Sequence, residues 1–315
     1  MFTRSIYLTK SIRNFDVKSF LIIIVIIAIL INHLRLDKKC VQYFSQEKIP
    51  SIINSKGYDR NVPLVFINGN LFSGMNLMKE ILNEHPLINC KEESSLISKF
   101  LSLSPSWYTK DREPMRLENA GITQGIAESA IGAFILEFIG MYNDKAHAKY
   151  ICNSGNLAVL KSSLFISKLL PNAKFILMIR DPRASLKKMY SSNKSHVKHE
   201  DLPWHATMQF RQWNLNMETL YKECLARGSK KCLRVFYEEL VMNPARIMKT
   251  VLKFINAPWD DSVLNIVKDK EENIVFSNPK LVHLNTWNGF FPINITKDLE
   301  KLAPFMKKLG YNMKS

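Results

Sequence analysis

From residue 63 onward, short apolar runs alternate with stretches of helical periodicity, and this alternation restricts the chain to a small set of folds. Pro63-Leu64-Val65-Phe66-Ile67 is an apolar run bounded by turn residues, the pattern of a buried strand. A loop from Gly69 to Gly74 follows. The spacing then predicts a helix with Leu77, Met78, Ile81 and Leu82 on one face, ending near Asn83 and before Pro86. A longer amphipathic helix is expected over about 123–142, with Ala127, Ile131, Phe134, Ile135 and Phe138 on one stripe. Phe175 to Ile179 reads as a further strand, with Arg180-Asp181-Pro182 as its turn and Pro182 suited to a first helical position. A helix around 206–226, a strand from Leu233 to Phe236 and a helix opened by Asn243-Pro244 continue the series. Such alternation specifies an α/β fold, a parallel sheet flanked by helices on both faces. Ligands of these sheets sit at the C-terminal strand edges. No repeat of about 20–50 residues is present, which excludes a solenoid.

The residues before this region are of another kind. Phe20 to Ile31 reads FLIIIVIIAILI, inside an uncharged stretch from Ser19 to Leu34 between Lys18 and Arg35. At the helical rise those 16 residues reach roughly 24 Å, short of a ~30 Å hydrocarbon core. Lys18 and Arg35 can snorkel to close the gap. No small-x-small cleavage site follows the run, and no face of it is polar, so an uncleaved signal-anchor is expected. The expected organisation is a cytoplasmic tail at 1–18, a transmembrane helix at 19–34, a polar stem at 35–61 and a lumenal globular domain at 62–315. The basic residues flanking the span, Arg4, Lys10, Arg13 and Lys18 before it and Arg35, Lys38, Lys39 and Lys48 after it, do not discriminate orientation. Sequons at Asn193-Lys194-Ser195 and Asn294-Ile295-Thr296 favour a lumenal globular part with glycosylation at Asn193 and Asn294.

The formal net charge is +16, and residues 1–40 hold +5 of it, leaving +11 on the remainder. A basic lumenal domain attracts polyanions or acidic proteins. Cys90, Cys152, Cys224 and Cys232 lie in the globular part, a number that suits two disulfides or four buried thiols. Cys40 follows the span and stands apart from them; acylation, an intermolecular bridge and no role are all open to it.

The strand–loop–helix at 63–83 carries Gly69-Asn70-Leu71-Phe72-Ser73-Gly74-Met75-Asn76. A glycine-flanked loop leading into a helix N-terminus holds an anion through backbone N–H groups. A nucleotide triphosphatase loop requires Lys and Ser/Thr after the second glycine, and Met75-Asn76 stand there, which excludes that reading.

Across about 250 residues, segments in a fixed order resemble the protein-tyrosine sulfotransferases. They include PLVFI, LMKEILNEHP, NCKEES, MRLENAGIT, YICN, LKSS, PNAKFILMIRDPRAS, YKECLARGSKKC, VFYEEL, LKFINAPWDDSVL and KKLGYN. The resemblance implies a sulfotransferase fold with a phosphate-binding loop, in a Golgi single-pass type II membrane protein with a lumenal catalytic domain. It implies 3′-phosphoadenosine 5′-phosphosulfate as co-substrate, no metal, tyrosines in acidic secreted or membrane proteins as acceptors, and a homodimer. It implies disulfides Cys90–Cys152 and Cys224–Cys232. Glu93 falls on the family's base, which a phenol of pKa ~10 requires. Arg180 falls on the 3′-phosphate anchor, where a guanidinium binds bidentately. Phe72, Ser73, Gly74, Met75 and Asn76 occupy the donor loop, and Tyr237 matches a donor-site tyrosine. Lys188 stands where the family has a serine to the same phosphate, and Ser192, with Lys194 nearby, where it has an arginine. Arg116 matches an arginine that reads acidic substrate. Two further substrate-side arginines appear as Ser95 and Lys99.

The same resemblance marks departures. Related loops read Pro-Arg-Ser-Gly-Thr-Thr, so Phe72 replaces the arginine that faces the leaving group. Both threonines are lost, although Asn76 can still donate. A transition-state lysine after Cys152-Asn153 is Ser154, followed by Gly155 and a one-residue insertion. The C-terminal donor loop is shortened before Trp287; Ser277 is the candidate for its stabilising serine, and Thr286 replaces a donor-binding lysine. One lost transition-state donor costs about 10²–10³ in rate. Rescue requires Lys79, Lys91 or Lys161 to reach the site. Two readings follow: an active tyrosine sulfotransferase, or an impaired relative that binds peptide or a dimer partner. His196, His199 and His205 suit a basic loop better than a metal site. No GxSxG elbow occurs, and aromatic residues are not interleaved with the basic clusters as in nucleic-acid readers.

Overall fold

The computed structural model describes residues 59–92, 96–103, 113–141, 145, 147–155, 157–192, 201–265 and 287–313. The expected tail, anchor and most of the stem, together with Glu93, Ser95, Asn193, Lys194, His196, His199, Ser277 and Thr286, lie outside the described residues. The chain divides into two units. The larger, Ser51–Met115 with Gln124–Ser315, holds the sheet and the site below. The described part of the smaller is Arg116–Thr123.

In chain order the elements are β1 Leu64–Gly69, α1 Met75–Glu84, β2 Ile88–Glu92, α2 Leu96–Leu103, α3 Glu113–Asn119 and α4 Gln124–Met141. Then come β3 Tyr150–Ser154, α5 Leu157–Lys161, α6 Ser163–Leu169, β4 Lys174–Ile179, α7 Pro182–Ser191 and α8 Leu202–Arg227. Last are β5 Cys232–Phe236, α9 Tyr237–Met242, α10 Pro244–Ile255, α11 Ile293–Leu302 and α12 Phe305–Lys308.

The five strands form one parallel sheet in the order β2-β3-β1-β4-β5. Its two faces separate the core by strand alternation. Leu64, Phe66, Phe175, Leu177 and Ile179 pack with α4, α5, α6, α8 and α11. Val65, Ile67, Ile176, Met178 and Val235 pack with α1, α9 and α10. Burial on both faces explains why β1 and β4 read as unbroken apolar runs. Phe66 and Phe175 stack across β1 and β4 at 5.7 Å.

The helix over Gln124–Met141 departs from the amphipathic expectation. Its buried side includes Glu128 and Ser129, while Phe134 and Phe138 are half-buried. Those two rings stack on one another at 5.9 Å, and Phe134 stacks on Phe100 at 4.5 Å. Among the described residues this is also the helix long and apolar enough to cross a membrane. Its packing of Ile131, Ile135, Leu136 and Ile139 into the core makes it a buried element of the domain. Lys168 meets the Glu128 carboxylate at 2.6 Å, which supplies a partner for a charge on the inner side.

β2 and β3 do not stand out in the chain, because Asn89, Lys91, Asn153 and Ser154 interrupt their apolar character. Pairing defines them: Cys90 lies opposite Cys152 in the parallel register. The disulfide between those residues, with Cα atoms 4.3 Å apart, follows from that register. The second disulfide, Cys224–Cys232, ties the end of α8 to the start of β5. Both pairings agree with the expected ones.

Candidate active site

β1 and β4 are neighbours, and their register pairs Gly69 with Met178. The loop leaving β1 and the residues leaving β4 are therefore adjacent at the C-terminal edge of the sheet. β4 and β5 pair Ile179 with Phe236, so the next residues, Arg180 and Tyr237, leave the sheet side by side. Arg180 uses both neighbours. Its Nη1 donates to the Phe72 carbonyl at 3.0 Å, and its guanidinium lies 3.9 Å from the centre of the Tyr237 ring. The stacking fixes the plane of the guanidinium against the Tyr237 ring.

The loop is shaped by close backbone approach. A Cβ on Gly69 would collide with Ser73 and come within 2.8 Å of the Met178 carbonyl. Gly74 has φ of 95°, and a Cβ there would run into the Tyr237 ring. Phe72 adopts the left-handed region at φ 60°, which turns its carbonyl toward Arg180 and the Ser185 hydroxyl, 3.5 Å away. Ser73 N–H donates to the Asn70 carbonyl, and the Asn70 amide donates to the Trp213 carbonyl of α8. The N-cap of α1 is Gly74, which makes no side-chain cap bond to the first N–H groups of the helix. The buried Ser73 hydroxyl has no hydrogen-bond partner among the described residues.

The turn after Arg180 is held by charge. Asp181 caps α7 by accepting the Arg183 N–H at 2.8 Å, and its carboxylate also takes Arg183 Nη2 at 2.7 Å. Both side chains of this pair are almost fully buried. The Arg183 guanidinium stacks on Trp287 at 3.7 Å. Glu238 accepts the Asp181 N–H at 2.9 Å through one oxygen and the Tyr311 hydroxyl at 3.1 Å through the other. Burial first, and the nearby Asp181 charge, push the Glu238 carboxyl above the ordinary carboxylate range. Burial and the same acidic neighbours raise the Tyr311 hydroxyl, which keeps it a donor.

The structure thus brings together Phe72, Gly74, Arg180 and Tyr237, and puts Ser73 beneath the loop. Met75 and Asn76 form the first turn of α1, half-buried and exposed respectively. Lys188 is exposed on the last turn of α7. Ser192 donates its hydroxyl to the Met189 carbonyl at the end of that helix. Ser154 is buried at the end of β3. Lys99 is exposed on α2, and Arg116 is exposed on α3. Lys79 and Lys91 are half-buried and Lys161 is exposed. Asn294 is exposed on α11, accessible as a glycosylation site requires. Ser185, Asp181, Arg183, Glu238 and Tyr311 were not singled out from the sequence. Asp181 before Pro182 is a recognisable cap signal; the others carry no local signal. Among the described residues, no group of three or more His, Cys, Asp or Glu side chains is placed to hold a metal.

The family model described as "Sulfotransferase family" matches residues 63–261. A solved sulfotransferase domain from the Synechococcus PCC 7002 olefin synthase shares the fold, with a TM-score of 0.51, 17% identity and coverage of 82% of this chain and 98% of that one. Protein-tyrosine sulfotransferase 1 of Danio rerio is 36% identical over 268 residues, 81% of this chain and 74% of the relative. The Homo sapiens protein of the same name is 37% identical over 81% of this chain and 71% of its own length. Protein-tyrosine sulfotransferase A of Caenorhabditis elegans is 34% identical over 84% of this chain and 71% of its own. The chain belongs to the protein-tyrosine sulfotransferase family.

Proposed function

We propose that the chain is a membrane-anchored Golgi enzyme that transfers a sulfuryl group from 3′-phosphoadenosine 5′-phosphosulfate to tyrosine hydroxyls in acidic peptide segments. The reading rests above all on Arg180 lying against the Gly69–Asn76 loop and stacked on Tyr237. Bound there, the donor supplies an activated sulfuryl group and a phosphate leaving group. The residues present fit it. The first N–H groups of α1 and the Ser73 hydroxyl, which has no partner among the described residues, suit the 5′ end, and Arg180 suits the 3′-phosphate. Glu93 takes the phenol proton. Arg116 and Lys99 attract the acidic acceptor, helped by the net charge of +11 on the residues after 40. Sugar chains at Asn193 and Asn294, a lumenal domain and a homodimer belong to the same reading.

A second reading has its own support. Phe72 and Ser154 occupy the positions where related enzymes carry a loop arginine and a transition-state lysine, and Phe72 presents a partly exposed ring there. The chain then binds donor and acidic peptide but transfers slowly or not at all. The full chain in detergent micelles, given radiolabelled donor and an acidic tyrosine peptide, separates the two. Transfer that disappears in Glu93→Ala supports the enzyme. Donor binding without transfer supports the impaired relative. Absence of donor binding overturns both.

A further inference from the structure

We infer that Tyr311, acting through Glu238, is a positioning residue for Arg180, so that the C-terminal segment of the chain sets the selectivity of the donor site for a 3′-phosphate. This rests on the reading of Arg180 as the 3′-phosphate anchor. The peptide between Arg180 and Asp181 links the anchor to α9. Its N–H is held by Glu238 Oε1 at 2.9 Å, which fixes the peptide plane immediately after the anchor residue. Tyr237, the residue before Glu238, stacks on the Arg180 side chain at 3.9 Å. One step of α9 therefore holds both the side chain and the backbone of the anchor. Glu238 is held in a buried place that disfavours its charge, with the Asp181 carboxylate adding to that. Tyr311 supplies the counterweight: its hydroxyl donates to Glu238 Oε2 at 3.1 Å and holds that carboxylate in the geometry that accepts the Asp181 N–H. Tyr311 is itself fixed by its N–H on the Met306 carbonyl and by its ring beside Phe236, at 6.4 Å. The segment after α12 thus reaches the strand-end turn 73 residues from Glu238 in sequence.

The test compares binding of adenosine 3′,5′-bisphosphate and adenosine 5′-monophosphate to the full chain by calorimetry. Tyr311→Phe keeps the ring and removes the hydroxyl. Its preference for the bisphosphate is expected to fall about three- to tenfold, the worth of one hydrogen bond, with binding of the monophosphate unchanged. Glu238→Gln retains an acceptor for the Asp181 N–H and is expected to keep the preference; Glu238→Ala is expected to lose it. A general loosening of the fold would weaken both nucleotides alike, and that result overturns the inference. So does an unchanged preference in Tyr311→Phe. If the unaltered chain binds neither nucleotide, the donor site itself is overturned and the inference with it. If it binds the bisphosphate and only the variants behave otherwise than expected, the inference alone falls.

Discussion

At the scale of single residues, the site depends on side chains whose roles are set by what lies beside them. Phe72 contributes its carbonyl to Arg180 while its own ring stays partly exposed. Glu238 is an acid in a place that disfavours its charge. Its carboxyl is raised above the ordinary value of 4.5 by burial and by Asp181. A folded-state pKa above the unfolded one contributes stability that is complete below the unfolded value and is lost as pH rises through the folded value. Stability of the native chain should therefore fall relative to Glu238→Gln as pH increases from about 4.5 toward neutrality. Urea midpoints measured across that interval check this; a difference between the two proteins that stays constant with pH would contradict it.

At the scale of elements, register accounts for most of the site. Gly69 opposite Met178 and Ile179 opposite Phe236 set Arg180 between the loop and Tyr237. The same pairing logic seats Cys90 against Cys152 on adjacent strands. The two disulfides close loops of very different length, with sequence separations of 62 and 8. In the chain-entropy account, the long closure is worth ~4 kcal/mol and the short one ~2.5 kcal/mol. Replacing Cys90 and Cys152 together by Ala should thus lower stability more than replacing Cys224 and Cys232. Chemical denaturation of the two double variants measures the order. β1, α1, β4 and α10 were legible because each combines an apolar period with a turn or cap signal. β2 and β3 were not, because polar residues inside them hide a strand that exists through its partners.

For the whole molecule, the excess of basic residues is a property of the surface field and not of any one element. Attraction of an acidic peptide by a field of this sign is screened as salt rises, with a Debye length of about 10 Å at 0.1 M. Binding of an acidic tyrosine peptide to the full chain should weaken steadily between 0.05 and 0.5 M salt, conditions set around that length, while a neutral peptide of the same length responds little. Equal salt responses would remove the electrostatic account of substrate choice. The alternation of apolar runs and amphipathic stretches was enough to establish a parallel α/β sheet. It was enough because burial on both faces and helical periodicity are local patterns. The ordered segments also made the family legible, along with both disulfides. The strand order, the contact of Arg180 with Phe72 and Tyr237, and the reach of Tyr311 to Glu238 came from the folded chain. Those contacts join residues far apart along the backbone, and no local preference encodes a partner that only strand pairing and packing bring within hydrogen-bond distance.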